Sequence, residues 1–332
     1  MIDSNDISVI MQGPVDWTHD PVSGLGITFA LYQNVRKLLP DAEVILSTWA
    51  NQKVDDFGFD KIVQSKDPGP QGTWPSFVPN NVNRQIVSTV AGLKAATRKY
   101  ALKIRTDMVL QGIEFIEVFE KAKPLKTDKR NIFSRPIVTN NLSSRNTSQI
   151  LERLPNHPLP FHPSDHASFG LREDILALWD ISLQSDEEAY HFLDHSQPNR
   201  FRLADLSKLA PEQYVMTSAV AKKVPVDIRH YADMCKEVIA LSEFYFSTHI
   251  ISVPDRLFPI HFPKYHTDHH FSFEWMRRNP DEKLLYEKVQ GGVPSSGQPE
   301  LKKKPPMFIR AVTYPFRKPQ KFKERVTRFF AS

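Results

Sequence analysis

Cysteine is nearly absent from this sequence, since Cys235 is the single one among 332 residues. One thiol cannot form a disulfide within the chain, which excludes a disulfide-stapled secreted scaffold and predicts a reducing compartment. Cys235 also falls in a helical pattern of residues. We therefore interpret it as a small core residue and not as a nucleophile.

Long apolar segments are missing as well. No run approaches the ~20 apolar residues that a membrane-spanning helix requires. The first residues, Met-Ile-Asp-Ser-Asn-Asp, also lack the basic and apolar regions of a secretory signal peptide. We expect a cytoplasmic protein that is soluble, or that lies on a membrane surface without crossing it.

The glycine-rich motifs that hold nucleotide cofactors are also missing. The first apolar run ends in Gln12-Gly13-Pro14, so no Gly-x-Gly-x-x-Gly follows it, and the sequence contains no Walker A motif. These absences disfavour a dinucleotide-binding Rossmann site and a P-loop.

Strand and helix patterns alternate over the first part of the chain. We predict, in chain order, a strand at 7–11, a helix at 27–38, strands at 43–49 and 61–65, a helix from 83, and strands at 100–107 and 131–135. This alternation indicates an α/β fold with a mostly parallel, Rossmann-type sheet and flanking helices.

Positive charge is concentrated at the C-terminal end. Residues 301–332 carry ten basic side chains and one acidic one, so a tail charge of +9 outweighs a negative remainder in the total of +5. This distribution disfavours a nucleic-acid-binding surface and predicts a local anionic partner.

Aromatic residues recur at helical spacing among the basic residues of this C-terminal end. We predict a flexible linker at 291–306 and a basic amphipathic tail at 307–332 that associates with an anionic membrane, the alternative being a solvated tail.

The sharpest pattern is Lys103-Ile-Arg105-Thr-Asp107, in which three ionic side chains alternate along one strand. Alternate residues of a strand face the same side, and buried charges need partners. Ligand clefts of open α/β sheets lie at the carboxyl ends of the strands, where Asp107 falls. We predict that this row faces a nucleotide-sugar and that Asp107 could hold Mn²⁺ or Mg²⁺. The alternative is an Arg105–Asp107 pair that only fixes the strand end.

Further candidates for binding the nucleotide-sugar come from neighbouring strand ends and from the start of a helix. They are Gln12, Gly13, Thr48, Asp67, Asn83 and Arg84. Gly13 would permit a close backbone approach to a ligand. Asn83 is predicted to cap the helix, whose exposed amides together with Arg84 could hold a phosphate, the alternative being a capped helix with a solvated arginine.

Transfer of a sugar to a hydroxyl needs a carboxylate as general base. Asp165, in His-Pro-Ser-Asp-His, is the first candidate and Glu212, in Pro-Glu-Gln-Tyr, is the second. A helix cap is the alternative role for Asp165. His261 comes from a late cluster of histidines and could complete a metal shell with Asp107, against an ordinary hydrogen-bonded role in a loop.

Taken in order, several segments of the chain resemble the WavE lipopolysaccharide synthesis family. They are Val-Ile-Met-Gln-Gly-Pro-Val, Ile-Leu-Ser-Thr-Trp, Asp-Pro-Gly, Asn-x-Asn-Arg-Gln-Ile, Lys-Ile-Arg-Thr-Asp, Phe-His-Pro-Ser-Asp-His, Phe-Gly and Pro-Glu-Gln-Tyr, within residues 6–265. The resemblance implies a GT-A-like glycosyltransferase that builds lipopolysaccharide core or a related glycan. It also implies that Asp107 stands where GT-A enzymes keep the last acid of a metal-binding Asp-x-Asp, with Arg105 in place of the first acid.

The leading hypothesis is therefore a bacterial glycosyltransferase, peripheral on the inner face of the inner membrane, with a nucleotide-sugar donor and a lipid-linked or lipopolysaccharide acceptor. Residues 1–290 would form a GT-A-like domain, with a nucleotide-sugar-binding half at 1–135 and an acceptor half at 136–290. One alternative is a sugar-phosphate or nucleotidyl transferase, which needs several clustered carboxylates. Another is a non-catalytic scaffold of a glycan assembly complex, which predicts no nucleotide binding.

Overall fold

The computed structural model describes residues 1–20, 23–54, 58–71, 79–145, 159–198 and 206–263. The linker predicted at 291–306 and the tail predicted at 307–332 lie outside these residues. Within the described ranges the chain forms nine strands and seven α-helices. None of these helices combines the length and the apolar character that crossing a bilayer requires.

Strands and helices alternate along the first part of the chain. The strands are β1 (Ile7–Gln12), β2 (Glu43–Trp49), β3 (Lys61–Ser65), β4 (Tyr100–Arg105), β5 (Val109–Leu110), β6 (Ile137–Asn140), β7 (Ala167–Leu171), β8 (Ile250–Val253) and β9 (Ile260–His261). The helices are α1 (Ile27–Leu38), α2 (Val82–Ala95), α3 (Glu114–Lys121), α4 (Arg172–Trp179), α5 (Asp186–Ala189), α6 (Pro211–Ala221) and α7 (Lys236–Thr248).

The large sheet contains seven of these strands in the order β3-β2-β1-β4-β7-β6-β8. The strands β1 to β4 are parallel to one another. β7 runs antiparallel between β4 and β6, and β6 is again parallel to β8. A small second sheet pairs β5 with β9. The predicted α/β fold, with a mostly parallel sheet and flanking helices, is thereby confirmed.

Both faces of the central strands are covered, because every residue of β1 and β2 is buried. On one face, Leu31 of α1 packs in the same cluster as Val9. On the other face, Ile86 of α2 and Ile175 of α4 pack in the same cluster as Ile10. Burial on both faces explains why these strands read as continuous apolar runs. Polar side chains that meet a ligand are therefore expected at the strand ends.

The strand predicted at 131–135 is wrong. These residues form bends and irregular backbone, and the next strand, β6, begins at Ile137. The carboxylate of Asp174 accepts hydrogen bonds from the backbone N–H groups of Ser134 and Arg135, at 2.8 and 3.0 Å. This side chain therefore occupies donors that a sheet ladder would need.

The helix cap predicted at Asn83 is also wrong. α2 begins at Val82, and Asn81 is its N-cap residue. Asn83 is buried inside the helix, where its side-chain amide donates to Gln71 Oε1 and to the Gln184 carbonyl, each at 3.0 Å. Asn83 lies one residue inside the helix, so its side chain does not cap the helix end. It joins α2 to two segments that are distant in the sequence.

Candidate functional site

Backbone hydrogen bonds fasten the carboxyl ends of β1, β2 and β4 together. The Gly13 amide donates to the Ser47 carbonyl, and the Thr106 amide donates to the Gln12 carbonyl, each at 3.0 Å. The Thr106 hydroxyl donates to the Pro14 carbonyl at 2.6 Å. Gly13 has a φ of +127°, and a Cβ added there would lie 2.8 Å from Thr106 Oγ1. Glycine is the residue that tolerates both this angle and this close approach.

We expect Gly13→Ala to destabilise the protein by about 1–3 kcal/mol, because it combines a strained backbone angle with a clash against Thr106. Gly24→Ala is the matched control, since Gly24 has a positive φ of +71° but nothing within 4 Å of its Cβ position. Denaturant unfolding measures both variants. Equal losses of stability would contradict a steric contribution at Gly13.

Gln12 and Thr48, at the ends of adjacent strands, have different surroundings. The Gln12 amide donates to Ser88 Oγ of α2 at 3.0 Å, while its buried Oε1 accepts no hydrogen bond from any residue that the structure describes. An unsatisfied buried amide oxygen is an expected acceptor for a ligand donor or a water. Thr48 is fully buried, and its hydroxyl donates to Gln52 Oε1, so it stabilises the segment that follows β2.

Arg105 and Asp107 form an ion pair at the end of β4. Asp107 lies in the turn beyond the strand, and Arg105 Nε and Nη2 donate to its two carboxylate oxygens at 3.0 and 2.7 Å. The side chains are 26% and 10% exposed, respectively. The guanidinium also lies 5.3 Å from the ring centre of Phe262. Because the pair retains contact with solvent, a phosphate could compete with the carboxylate for the guanidinium fork.

Lys103 shares the strand face of Arg105 but lies deeper. Its side chain is fully buried, its ammonium donates to the Asp165 carbonyl oxygen, and Nζ lies 4.6 Å from the ring centre of Trp179. Burial lowers the pKa of Lys103 to about 7, although the carboxylates of Asp165 and Asp107 oppose this shift. The Lys103 amine is therefore shielded from solvent by its burial, deeper in the sheet than the Arg105–Asp107 pair.

Asp165 immediately precedes β7 and approaches the ionic row from the side. Its carboxylate lies 3.7 Å from His166 Nδ1 and accepts a hydrogen bond from Gln85 of α2. Burial acts to raise its pKa, but His166, Lys103 and Arg105 together outweigh burial and hold the pKa of Asp165 well below its usual range. The carboxylate is therefore ionised at neutral pH and is a weak proton acceptor.

Glu212 lies in the first turn of α6, with its Oε2 3.3 Å from His162 Nε2. Its side chain is 15% exposed, whereas that of Asp165 is 7% exposed. Both residues line one small cavity between the sheet and the helices α4 and α6. The fold thus brings together the two carboxylates that the sequence singled out as candidate bases.

A second arginine–carboxylate pair lies beside the first turn of α2. Arg84 Nε and Nη2 donate to Asp67 at 2.8 and 2.6 Å, and Nη1 donates to Asn81 Oδ1 at 3.1 Å. The Arg84 hydrogen bonds hold the pKa of Asp67 below its usual value. Because Gln85 follows Arg84, one helical turn contacts both this pair and Asp165.

The metal site was predicted from Asp107 and His261. Asp107 directs both oxygens to Arg105, and His261 Nε2 lies 3.5 Å from Asp20 Oδ1. Across the described ranges, no group of three or more His, Cys, Asp or Glu side chains is arranged to hold a metal ion. Mn²⁺ and Mg²⁺ need several oxygen ligands, so the described donors do not build such a site by themselves.

Gln85, His162 and Trp179 contact the site, and sequence reasoning gave them no role. Gln85 shares the sheet-facing side of α2 with Ser88, so helical periodicity offers a signal for it. Trp179 carries no such signal, because its contact with Lys103 joins the last residue of α4 to a different element. His162 could not be identified from the sequence either, because its contact with Glu212 joins two residues that are far apart along the chain.

Comparison with solved structures finds many similar chains, among them two proteins of similar extent. The 4-diphosphocytidyl-2C-methyl-D-erythritol synthase from Anaerococcus prevotii is 14% identical, with a TM-score of 0.33, over 74% of this chain and 99% of that one. A cytidylyltransferase from Leptospira borgpetersenii is 12% identical, with a TM-score of 0.30, over 73% of this chain and 95% of that one. A search of curated proteins finds no match.

The sequence model of one family spans the sheet and the site described above. The model of WavE lipopolysaccharide synthesis matches residues 7–253, from the first residue of β1 to the last residue of β8. The match includes both arginine–carboxylate pairs and both candidate bases. The chain therefore belongs to the WavE lipopolysaccharide synthesis family.

Proposed function

We propose that this protein is a GT-A-like glycosyltransferase that moves a sugar from a nucleotide-sugar to lipopolysaccharide core or a related surface glycan. The observation that carries the proposal is the Arg105–Asp107 pair at the carboxyl end of β4, beside Gln12 and Gly13 at the end of β1. This edge of an open α/β sheet is where ligands bind. The family's role in lipopolysaccharide synthesis supports a glycan as the product.

On the donor side, the diphosphate would displace Asp107 from part of the Arg105 fork, because guanidinium groups bind phosphate in the same bidentate way. Arg84 offers a second fork, also paired and partly exposed. Gln12 Oε1 would accept a hydrogen bond from the nucleoside. Lys103 would act indirectly, by holding the peptide that carries Asp165.

On the acceptor side, a single displacement needs a base for the attacking hydroxyl. The hydroxyl oxygen would bond to the anomeric carbon while the bond to the diphosphate breaks, and the electron pair would leave with the nucleotide. The proton would pass to a carboxylate. We assign this role to Glu212 ahead of Asp165, because Asp165 is the more buried of the two and its low pKa makes it a poor acceptor.

The acceptor is proposed to be lipid-linked, with the protein peripheral on the inner face of the bacterial inner membrane. This part rests on the sequence of the tail, in which basic side chains alternate with aromatic ones. Such segments bind anionic lipid surfaces.

A thermal-shift screen of UDP, GDP, CMP and their sugars, with and without Mn²⁺, tests the proposal. We expect at least one nucleotide to raise the melting temperature, because a ligand that binds only the folded state stabilises it. In the Arg105→Gln variant the same nucleotide should no longer raise the melting temperature. Arg130→Gln is the matched control, because Arg130 forms the same bidentate pair with Asp128 and also lies on a phenylalanine ring, Phe244.

Loss of the nucleotide shift in both arginine variants would indicate a general effect and contradict the assignment of Arg105. The absence of any shift across the screen would favour a scaffold without nucleotide binding. A product that retains a phosphate from the donor would instead indicate a nucleotidyl or sugar-phosphate transferase.

A further inference from the structure

The cavity that Glu212 and Asp165 line contains polar atoms that no described residue satisfies. Its floor is the sheet, at β6 and β7, and its walls are α4 and α6. All three residues Trp179, Thr139 and Ser168 line this space, and their buried Nε1, Oγ1 and Oγ atoms have no hydrogen-bond partner within the described ranges. Each side chain is at most 4% exposed.

The register of the sheet explains why these atoms converge. Ser168 of β7 is the pairing partner of Lys103 in β4 and also of Thr139 in β6. Paired residues of adjacent strands direct their side chains to the same face. Lys103, Ser168 and Thr139 therefore form a polar row on the face that α4 and α6 cover, and Trp179 at the end of α4 faces this row.

An unsatisfied buried polar atom is costly, and three in one cavity call for a partner beyond the residues that the structure describes. The interior is narrow, with room for a group about the size of one water or one hydroxyl. The indole N–H can only donate, whereas the two hydroxyls can donate or accept. This set suits an oxygen that accepts a hydrogen bond from the indole N–H. The same oxygen can also donate to, or accept from, each of the two hydroxyls.

The surroundings of this hole restrict what can enter it. Asp165 and Glu212 also line the cavity and would repel an anionic group there. Val215, Met216 and Ile250 supply apolar walls, whose side chains offer an entering group no hydrogen bond. A neutral hydroxylated molecule meets these conditions, whereas a phosphate does not.

We propose that this cavity is a hydroxyl-binding subsite for the neutral acceptor sugar. One hydroxyl of the acceptor enters the hole between Trp179, Thr139 and Ser168, and a water occupies it when no acceptor is bound. Entry of that hydroxyl fixes the sugar ring beside Glu212 at the mouth. The proposal rests on the proposed glycosyl transfer and names the chemistry of its acceptor side.

The indole N–H of Trp179 gives a direct readout by ¹H–¹⁵N NMR of the full chain, with Trp179→Phe identifying its signal. Glucose, galactose and mannose serve as probes at millimolar concentrations. We expect at least one of them to shift the Trp179 signal in a saturable way. UDP, GDP and CMP should bind elsewhere and leave this signal in place.

Thr139→Val keeps the shape of the side chain and removes the hydroxyl, so it should weaken the sugar response about fivefold. Thr217→Val is the matched control, because the Thr217 hydroxyl is already bonded to the Gln213 carbonyl within α6. If Trp179→Phe fails to fold, single Phe substitutions of the other four tryptophans, Trp17, Trp49, Trp74 and Trp275, identify the Trp179 signal by elimination.

A Trp179 signal that stays fixed with every sugar, in a protein that still binds a nucleotide, would overturn the subsite and leave the proposed transferase intact. An equal response in wild type and Thr139→Val would also overturn it. A sugar response without nucleotide binding would support the subsite and count against the nucleotide-sugar donor.

Discussion

Replacing Asp107 with asparagine is expected to reduce sugar transfer by at least about 100-fold while the protein remains folded. Asp107 is the carboxylate at the end of β4 that orients the Arg105 guanidinium through two hydrogen bonds. Asparagine still accepts one of these bonds, but it no longer holds the guanidinium through both of them in the orientation that receives the diphosphate. Turnover is measured with whichever nucleotide-sugar stabilises the wild type, together with the melting temperature.

Asp128→Asn is the control for this experiment. Asp128 accepts the same two bonds from Arg130, at 3.0 and 2.6 Å, but it is not among the residues of the site. We expect this control to keep its activity, because partly exposed ion pairs contribute little to stability. Full activity of Asp107→Asn would show that the Asp107 carboxylate is not needed for sugar transfer, and would contradict its assigned role.

Replacing Glu212 with glutamine should lower turnover by roughly 10²–10⁴-fold, the usual contribution of a general base, with little change in stability. Asp165→Asn should act differently. Its charge favours the nearby buried Lys103 ammonium, so removal of that charge should destabilise the fold by about 0.5–3 kcal/mol. Kinetics and denaturant unfolding of both variants separate the two roles.

Glu237→Gln is the control for Glu212→Gln. Glu237 occupies the same position in the first turn of α7 that Glu212 occupies in α6, and it is exposed. Both substitutions remove a favourable charge at a helix N-terminus, and Glu212→Gln also weakens the contact with His162, so its loss of stability should be equal or slightly larger. A folded Asp165→Asn variant without activity, alongside an active Glu212→Gln variant, would reverse our assignment of the base.

The parallel part of the fold could be predicted because its signals are local. The strands β2 and β3 have the predicted bounds, since both are short β-prone runs flanked by breaks in the pattern, such as Pro40 before Glu43. β7 was not predicted, because Ala-Ser-Phe-Gly-Leu carries little strand signal of its own. Its pairing with β4 and β6 depends on contacts between distant segments, which a local pattern does not contain.

The candidate site shows the same division. The alternation of Lys103 and Arg105 on one strand face could be predicted from the period of a strand. Their different depths could not, because the burial of Lys103 depends on Trp179 and on the Asp165 peptide. The unsatisfied atoms beside Glu212 were equally invisible, since they result from the register between β7 and its neighbours.

The antiparallel insertion of β7 next to β4 also bears on how the protein can be divided. A fragment that stops at residue 135 would lack β7 and would leave one edge of β4 open. Open strand edges recruit other chains and lead to aggregation. Such a fragment would also expose Lys103 without its partners. Truncations or split-protein fusions built on the first half should therefore extend through Trp179, the last residue of α4.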